Sequence, residues 1–189
     1  MNFLGHLFFS NDNLDLMIAN LYGDSVKGSK YGHYSSQIQK GIKLHREIDS
    51  FIDQHPEVKK LRLRLYKELP KVAGIAIDLI FDHLLAKKWN EFHPKNLYTF
   101  LEEFYNYRSH LEIEMTPEFI FLLQRIRTDK WMNHYSTLYG LEKSSAGVSS
   151  RISFKNKLKD TPRVYLKHQE IIEETFYFYM KDASIQLAD

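Results

Sequence analysis

The stretch GIKLHREIDSFIDQHPEV (residues 41–58) holds the residues most suited to chemistry. At about 3.6 residues per turn, His45, Asp49 and Asp53 fall one above another on a single helical face, with Arg46 and Glu47 to either side. An imidazole aligned with short carboxylates can hold a divalent cation or move protons near neutrality. The same spacing also describes a partly exposed ion-pair face made by His45, Arg46 and Asp49. His55, before Pro56, reads as a residue that starts a helix.

Three further places add polar side chains where apolar ones are expected. In AGIAIDLIFDHLLAKKW (residues 73–89), Asp78 is flanked by Ala76, Ile77, Leu79 and Ile80, so a helix brings it near the core. A buried lone carboxylate is very unfavourable, and it calls for either a cationic partner or a divalent ion. Asp82 lies one turn further along the same face, with His83 beside it, so two carboxylates and an imidazole are expected to face whatever this helix packs on. His6 interrupts the apolar run NFLGHLFF, as a hydrogen-bonded core histidine or as a ligand. Asp24 in NLYGDSVKG is a turn residue or a further oxygen donor.

Composition narrows what these groups could hold. The chain has 189 residues, 43% of them hydrophobic, enough to bury one sizeable core, and no compositional break argues for a second domain. One domain over residues 1–189 is expected. Cysteine is absent, so a bound metal must use His nitrogen and carboxylate oxygen, which points to Mn²⁺, Mg²⁺, Fe²⁺ or Zn²⁺ rather than a thiolate zinc site. The same absence suits a reducing cytoplasm. A formal charge of +2 does not imply nucleic acid, no segment has the length and apolarity of a membrane span, and the N-terminus lacks the basic start and small-residue cleavage site of a signal peptide.

The elements that must position these residues are helical. Apolar residues recur three and four apart in LDLMIANLY, in Ile38, Ile42, Ile48 and Ile52, and in Val72, Ile75, Leu79 and Ile80. Pro56, Pro94, Pro117 and Pro162 mark expected helix starts, and GSKYGHYS (residues 28–35) is the clearest loop. DKWMNHYSTLYGLEKSSAGVSSRI and PRVYLKHQEIIEETFYFYMKD each read as one helix. The whole is an all-α bundle of roughly seven to nine helices.

Taken together, MNFLGHL, NLYGDSVKG, GIKLHREIDSFIDQHPEV, IDLIFDHLLAKKW, KWMNHY and VSSR resemble, in that order, the acyl carrier protein phosphodiesterase (acyl carrier protein hydrolase) family. Members are regarded as divergent relatives of the HD-type metal-dependent phosphohydrolases, all-α enzymes with His and Asp ligands. The resemblance implies hydrolysis of the phosphodiester that joins 4′-phosphopantetheine to a Ser of holo acyl carrier protein, with Mn²⁺ as the usual metal. It implies that Asp24, His45, Asp78 and Asp82 bind metal, with His6 and His83 as further candidates. Arg46 would contact phosphate, Asp49 would orient His45 or act on a proton, and Arg151 could reach a phosphate. The pair Asp82-His83 departs from the His-Asp order that names the wider superfamily, so ligands are not transferable one by one. Acyl carrier proteins are acidic, and Lys27 with Lys30, or Arg151 with Lys155, Lys157 and Lys159, could face such a partner. Two other readings stay open: a phosphohydrolase of a nucleotide or another small phosphodiester, and a non-catalytic helical binding module. Oligomeric state is not legible.

Overall fold

In the computed structural model, which describes residues 1–187, the apolar periodicity folds as ten α-helices: α1 (Phe3–Phe8), α2 (Leu14–Tyr22), α3 (Ser36–Gln54), α4 (Pro56–Leu65), α5 (Ala73–Lys87), α6 (Leu97–Asn106), α7 (Pro117–Asp129), α8 (Leu138–Arg151), α9 (Thr161–Lys167) and α10 (Gln169–Gln186). No strand occurs among the described residues. Helix starts follow local chemistry. Asn13, Asn96, Thr116 and Thr137 each accept a hydrogen bond from a backbone N–H of the first turn of α2, α6, α7 and α8, and Pro56 and Pro117 supply the fixed φ that suits a helix start.

Two long segments expected as single helices are broken, and the second break, together with the short α1, takes the count past the expected seven to nine. Lys130 adopts a left-handed conformation (φ 46°) and ends α7, so the segment from Asp129 to Ile152 forms a short 3-10 turn at Trp131–His134 before α8 begins. A second break at His168 separates α9 from α10. Pro94 starts no helix. It lies in the connection before Asn96, the residue that caps α6.

The bundle is organised on α5, which is buried almost all round and packs against α1, α4, α8 and α10. Ile77, Ile80, Phe81, Leu84 and Leu85 have essentially no exposed surface. α2 lies close along α3. The approach depends on Gly41, where a Cβ would stand 2.4 Å from the backbone carbon of Ala19. Through these contacts α1, α2, α3 and α5 surround one polar cluster.

Candidate active site

His6 comes from α1, and His45 and Asp49 come from successive turns of α3. The His45 Nε2 lies 3.2 Å from Asp49 Oδ2, the His6 Nε2 lies 3.3 Å from Asp49 Oδ1, and the two imidazole rings stack with centroids 4.2 Å apart. One nitrogen of each ring and a carboxylate oxygen fit within 4.8 Å of one another, a donor set of the size and chemistry that a divalent cation uses. Both histidines are buried, whereas Asp49 is half-exposed and gives the cluster its opening. Burial works to raise the Asp49 carboxyl, but hydrogen bonds from His45 and His6 outweigh it and hold the group well below the usual carboxylate range. Burial pushes the His6 imidazole down, against the pull of Asp49.

Asp78 and Asp82 lie on the face of α5 that meets α1, but they have different partners. Asp78 Oδ1 accepts from the Met1 ammonium at 3.1 Å, so the cationic partner that its position called for is the α-amino group. Burial raises its carboxyl while that ammonium pulls it down. Asp82 accepts from the backbone N–H groups of Asn2, Leu4 and Gly5 and so holds the start of α1. Burial pushes its carboxyl up to about 7, opposed by the ammonium and these three donors. His83, one residue on and about 100° further round the helix, bonds the Tyr135 carbonyl at 2.7 Å and packs on the Tyr165 ring. The expectation that Asp78, Asp82 and His83 share one face is therefore corrected: the carboxylates turn towards α1 and the imidazole turns away.

A cavity of about 310 Å³ joins the cluster to its surroundings, lined by His6, Asp24, His45, Asp49, Asp53 and Asp78 among others. Neither Asp82 nor His83 lines it. Asp24 is exposed, lies 3.6 Å from the Lys27 Nζ, and shares with Lys27, His45, Arg46 and Asp49 a second hollow at the mouth. Arg46 uses Nη2 to bond the Val26 and Gly28 carbonyls and lies over the Tyr31 ring, so it pins the loop that follows Asp24. Gly23 lets that turn approach: a Cβ there would stand 2.5 Å from the His45 Cβ. Arg151, at the end of α8, bonds the Gly147 carbonyl, and neither it nor Lys155 lines either hollow. His55 starts α4 as expected, but it is also buried and pairs with Asp182 at 3.2 Å.

A family model described as Acyl carrier protein phosphodiesterase matches residues 1–183. The chain belongs to this family. Similar family members are the acyl carrier protein phosphodiesterases of Salmonella agona (strain SL483) and Salmonella newport (strain SL254), each 28% identical over 193 residues, covering 100% of this chain and 98% of the relative. No solved structure matches the chain. No described helix is long and apolar enough to cross a membrane. Two residues of the site lay inside quoted motifs without being singled out. Asn20, which opens NLYGDSVKG, sits fully buried behind His6, and its signal is an amide inside the apolar run LMIANLY. The Met1 amine has no side-chain signature at all.

Proposed function

We propose that this family member hydrolyses the phosphodiester between 4′-phosphopantetheine and the carrier Ser of holo acyl carrier protein, releasing apo carrier protein, with a divalent cation held by His6, His45 and Asp49. The observation that carries the reading is the convergence of these three donors from two helices in a cavity that also exposes Asp24 and Asp78. Mn²⁺ is the first choice among cations that His nitrogen and carboxylate oxygen accept, with Mg²⁺, Fe²⁺ and Zn²⁺ behind it. When bound, such an ion supplies Lewis-acid polarisation and charge neutralisation at a phosphoryl group.

The chain's own residues account for the rest. Asp49, kept anionic by both histidines, orients the two rings rather than taking a proton; water attacks phosphorus as the Ser oxygen leaves, and the proton that water gives up balances the one the Ser takes up. Arg46 bonds the loop through Nη2, which leaves the donors on Nε and Nη1 for the phosphate. Lys27 at the mouth favours an acidic partner. A carrier-protein substrate implies action in the cytoplasm. Asp24 and Asp78 are further oxygen donors towards the same cavity, whereas Asp82 acts by holding α1 and His83 by packing.

Incubation with holo acyl carrier protein and Mn²⁺, followed by mass spectrometry of the carrier, tests the reading. Loss of the phosphopantetheine group, dependent on the cation, is expected. An intact carrier alongside rapid cleavage of nucleotides or small phosphodiesters would replace the substrate, and no turnover with no cation binding would leave a binding module.

A further inference from the structure

Asn20 is fully buried on α2, and every polar atom of its side chain is used. Its Nδ2 donates to the His6 carbonyl at 2.9 Å and to Ser10 Oγ at 3.1 Å, and its Oδ1 lies 2.9 Å from the His6 Nδ1. A carbonyl can only accept, so the His6 carbonyl fixes which end of the amide is nitrogen, and the amide cannot turn over without setting two oxygens against each other. Ser10 reinforces this by donating its own hydrogen to the His6 carbonyl at 2.8 Å. With Oδ1 thus fixed, the His6 Nδ1 must carry a proton to meet it.

The consequence appears on the other side of the ring. The His6 Nε2 faces only acceptors, Asp49 Oδ1 at 3.3 Å and the Met1 carbonyl at 3.1 Å, with the His45 ring stacked alongside. A protonated ring donates its Nε2–H to Asp49, the bond that helps hold that carboxyl low; once the ring is neutral, the proton that Asn20 fixes stays on Nδ1 and Nε2 aims its lone pair into a group of oxygens, an arrangement that a cation relieves. We propose that Asn20 is a positioning residue: it selects the Nδ1–H tautomer of His6 and so keeps Nε2 open as a cation donor towards Asp49 and His45. This deepens the proposed function and rests on its cation reading for the purpose of the tautomer, though not for the tautomer itself.

Two measurements test it. In ¹⁵N-labelled, metal-free protein at pH 8, imidazole correlation spectra should show His6 protonated at Nδ1 and bare at Nε2; a proton on Nε2 overturns the proposal, and no variant is needed. Mn²⁺ titration then asks whether Asn20 acts through His6. Asn20→Ala should weaken affinity by about 10–100-fold, the range for outer partners of ligating histidines, and should cost nothing more in a His6→Ala background. Losses that add in the double variant overturn it. Wild-type protein that binds no Mn²⁺ sinks the cation reading while the spectrum still decides the tautomer.

Discussion

His6 and His45 lie face to face, their planes 14° apart, and each directs Nε2 at a different oxygen of the Asp49 carboxylate. One carboxylate thus serves two imidazoles that belong to helices far apart in sequence. Parallel rings of this kind repel if both are protonated, and in the metal-free protein the balance of protons among the three groups sets how well the cluster holds together.

That balance has a direction. Asp49 has a folded-state value below its unfolded one near 3.8, so its contribution to stability is fully present above that pH and is lost as pH falls through the folded value. His6, lowered by burial, acts in the same direction in a higher window: the unfolded chain takes up its proton first as pH drops below about 6.5. The carboxyls of Asp78 and Asp82, raised in the fold, act in the opposite direction to His6 above pH 4, so the loss of stability that Asp49 sets should show below about pH 4 in metal-free protein. Asp49→Asn should flatten the lower limb. Parallel melting curves for the two proteins from pH 5 to pH 2 would mean that Asp49 is not held down by the histidines.

His45 and His55 occupy the same eighteen-residue motif but should respond oppositely to alanine. His45→Ala removes a donor of the cluster and should lower Mn²⁺ affinity by more than about tenfold. His55→Ala removes a buried ring packed on Phe51 and Tyr179 and paired with Asp182, and should cost about 2 kcal/mol or more of stability while leaving Mn²⁺ affinity alone. Calorimetric titration and thermal melts on both variants check the pair, and the reverse ranking would put the wrong histidine in the site.

The bundle and the face shared by His45 and Asp49 were legible because helical periodicity is a local property of sequence. Asp78 also declared its need for a positive partner, since an acid among Ala76, Ile77, Leu79 and Ile80 has few alternatives. What α5 did with Asp82 and His83 was not legible. Adjacent residues on a helix diverge by about 100°, and which side meets α1 depends on packing that only the fold supplies. Arg46 shows the same limit. The family resemblance implied a phosphate contact, but two loop carbonyls and the Tyr31 ring compete for it, and loop conformation is not written in periodicity.

Asp82 holds α1 in place, so its removal should loosen the helix that carries His6. Asp82→Ala leaves the N–H groups of Leu4 and Gly5 without their acceptor, at roughly 1–3 kcal/mol for each buried donor. Amide hydrogen exchange should speed up at residues 3–8, and Mn²⁺ affinity should fall with it. Unchanged exchange at Leu4 and Gly5 would show that Asp82 does not secure α1.

Gly23→Ala is a steric probe of the site. Gly23 has φ −52°, which any residue adopts, so the substitution carries no backbone strain and acts only through the new methyl group against the His45 Cβ and Cγ. The turn must move from α3 or His45 must shift, at about 1–3 kcal/mol for overpacking. Hydrolysis should drop at least as far as stability does, because the displaced ring belongs to the His6, His45 and Asp49 cluster proposed to hold the cation. A variant with normal turnover and normal Mn²⁺ binding would mean that the close approach is tolerated and does not position His45.

Lys27 and Lys155 test where an acidic carrier protein docks. Lys27 lines the mouth with His45, Arg46 and Asp49, while Lys155 lies beyond the end of α8 and lines neither hollow of the site. Local potential guides encounter, so Lys27→Glu should raise the KM for holo acyl carrier protein several-fold, more at low salt than at high, with kcat less affected. Lys155→Glu should change KM little. Cleavage of a small phosphodiester, which needs no protein docking, serves as the control and should be the same in both variants. If Lys155→Glu proves the more damaging of the two, the carrier approaches over α8 and the basic segment from Arg151 to Lys159, and the mouth beside Asp24 admits only the phosphate.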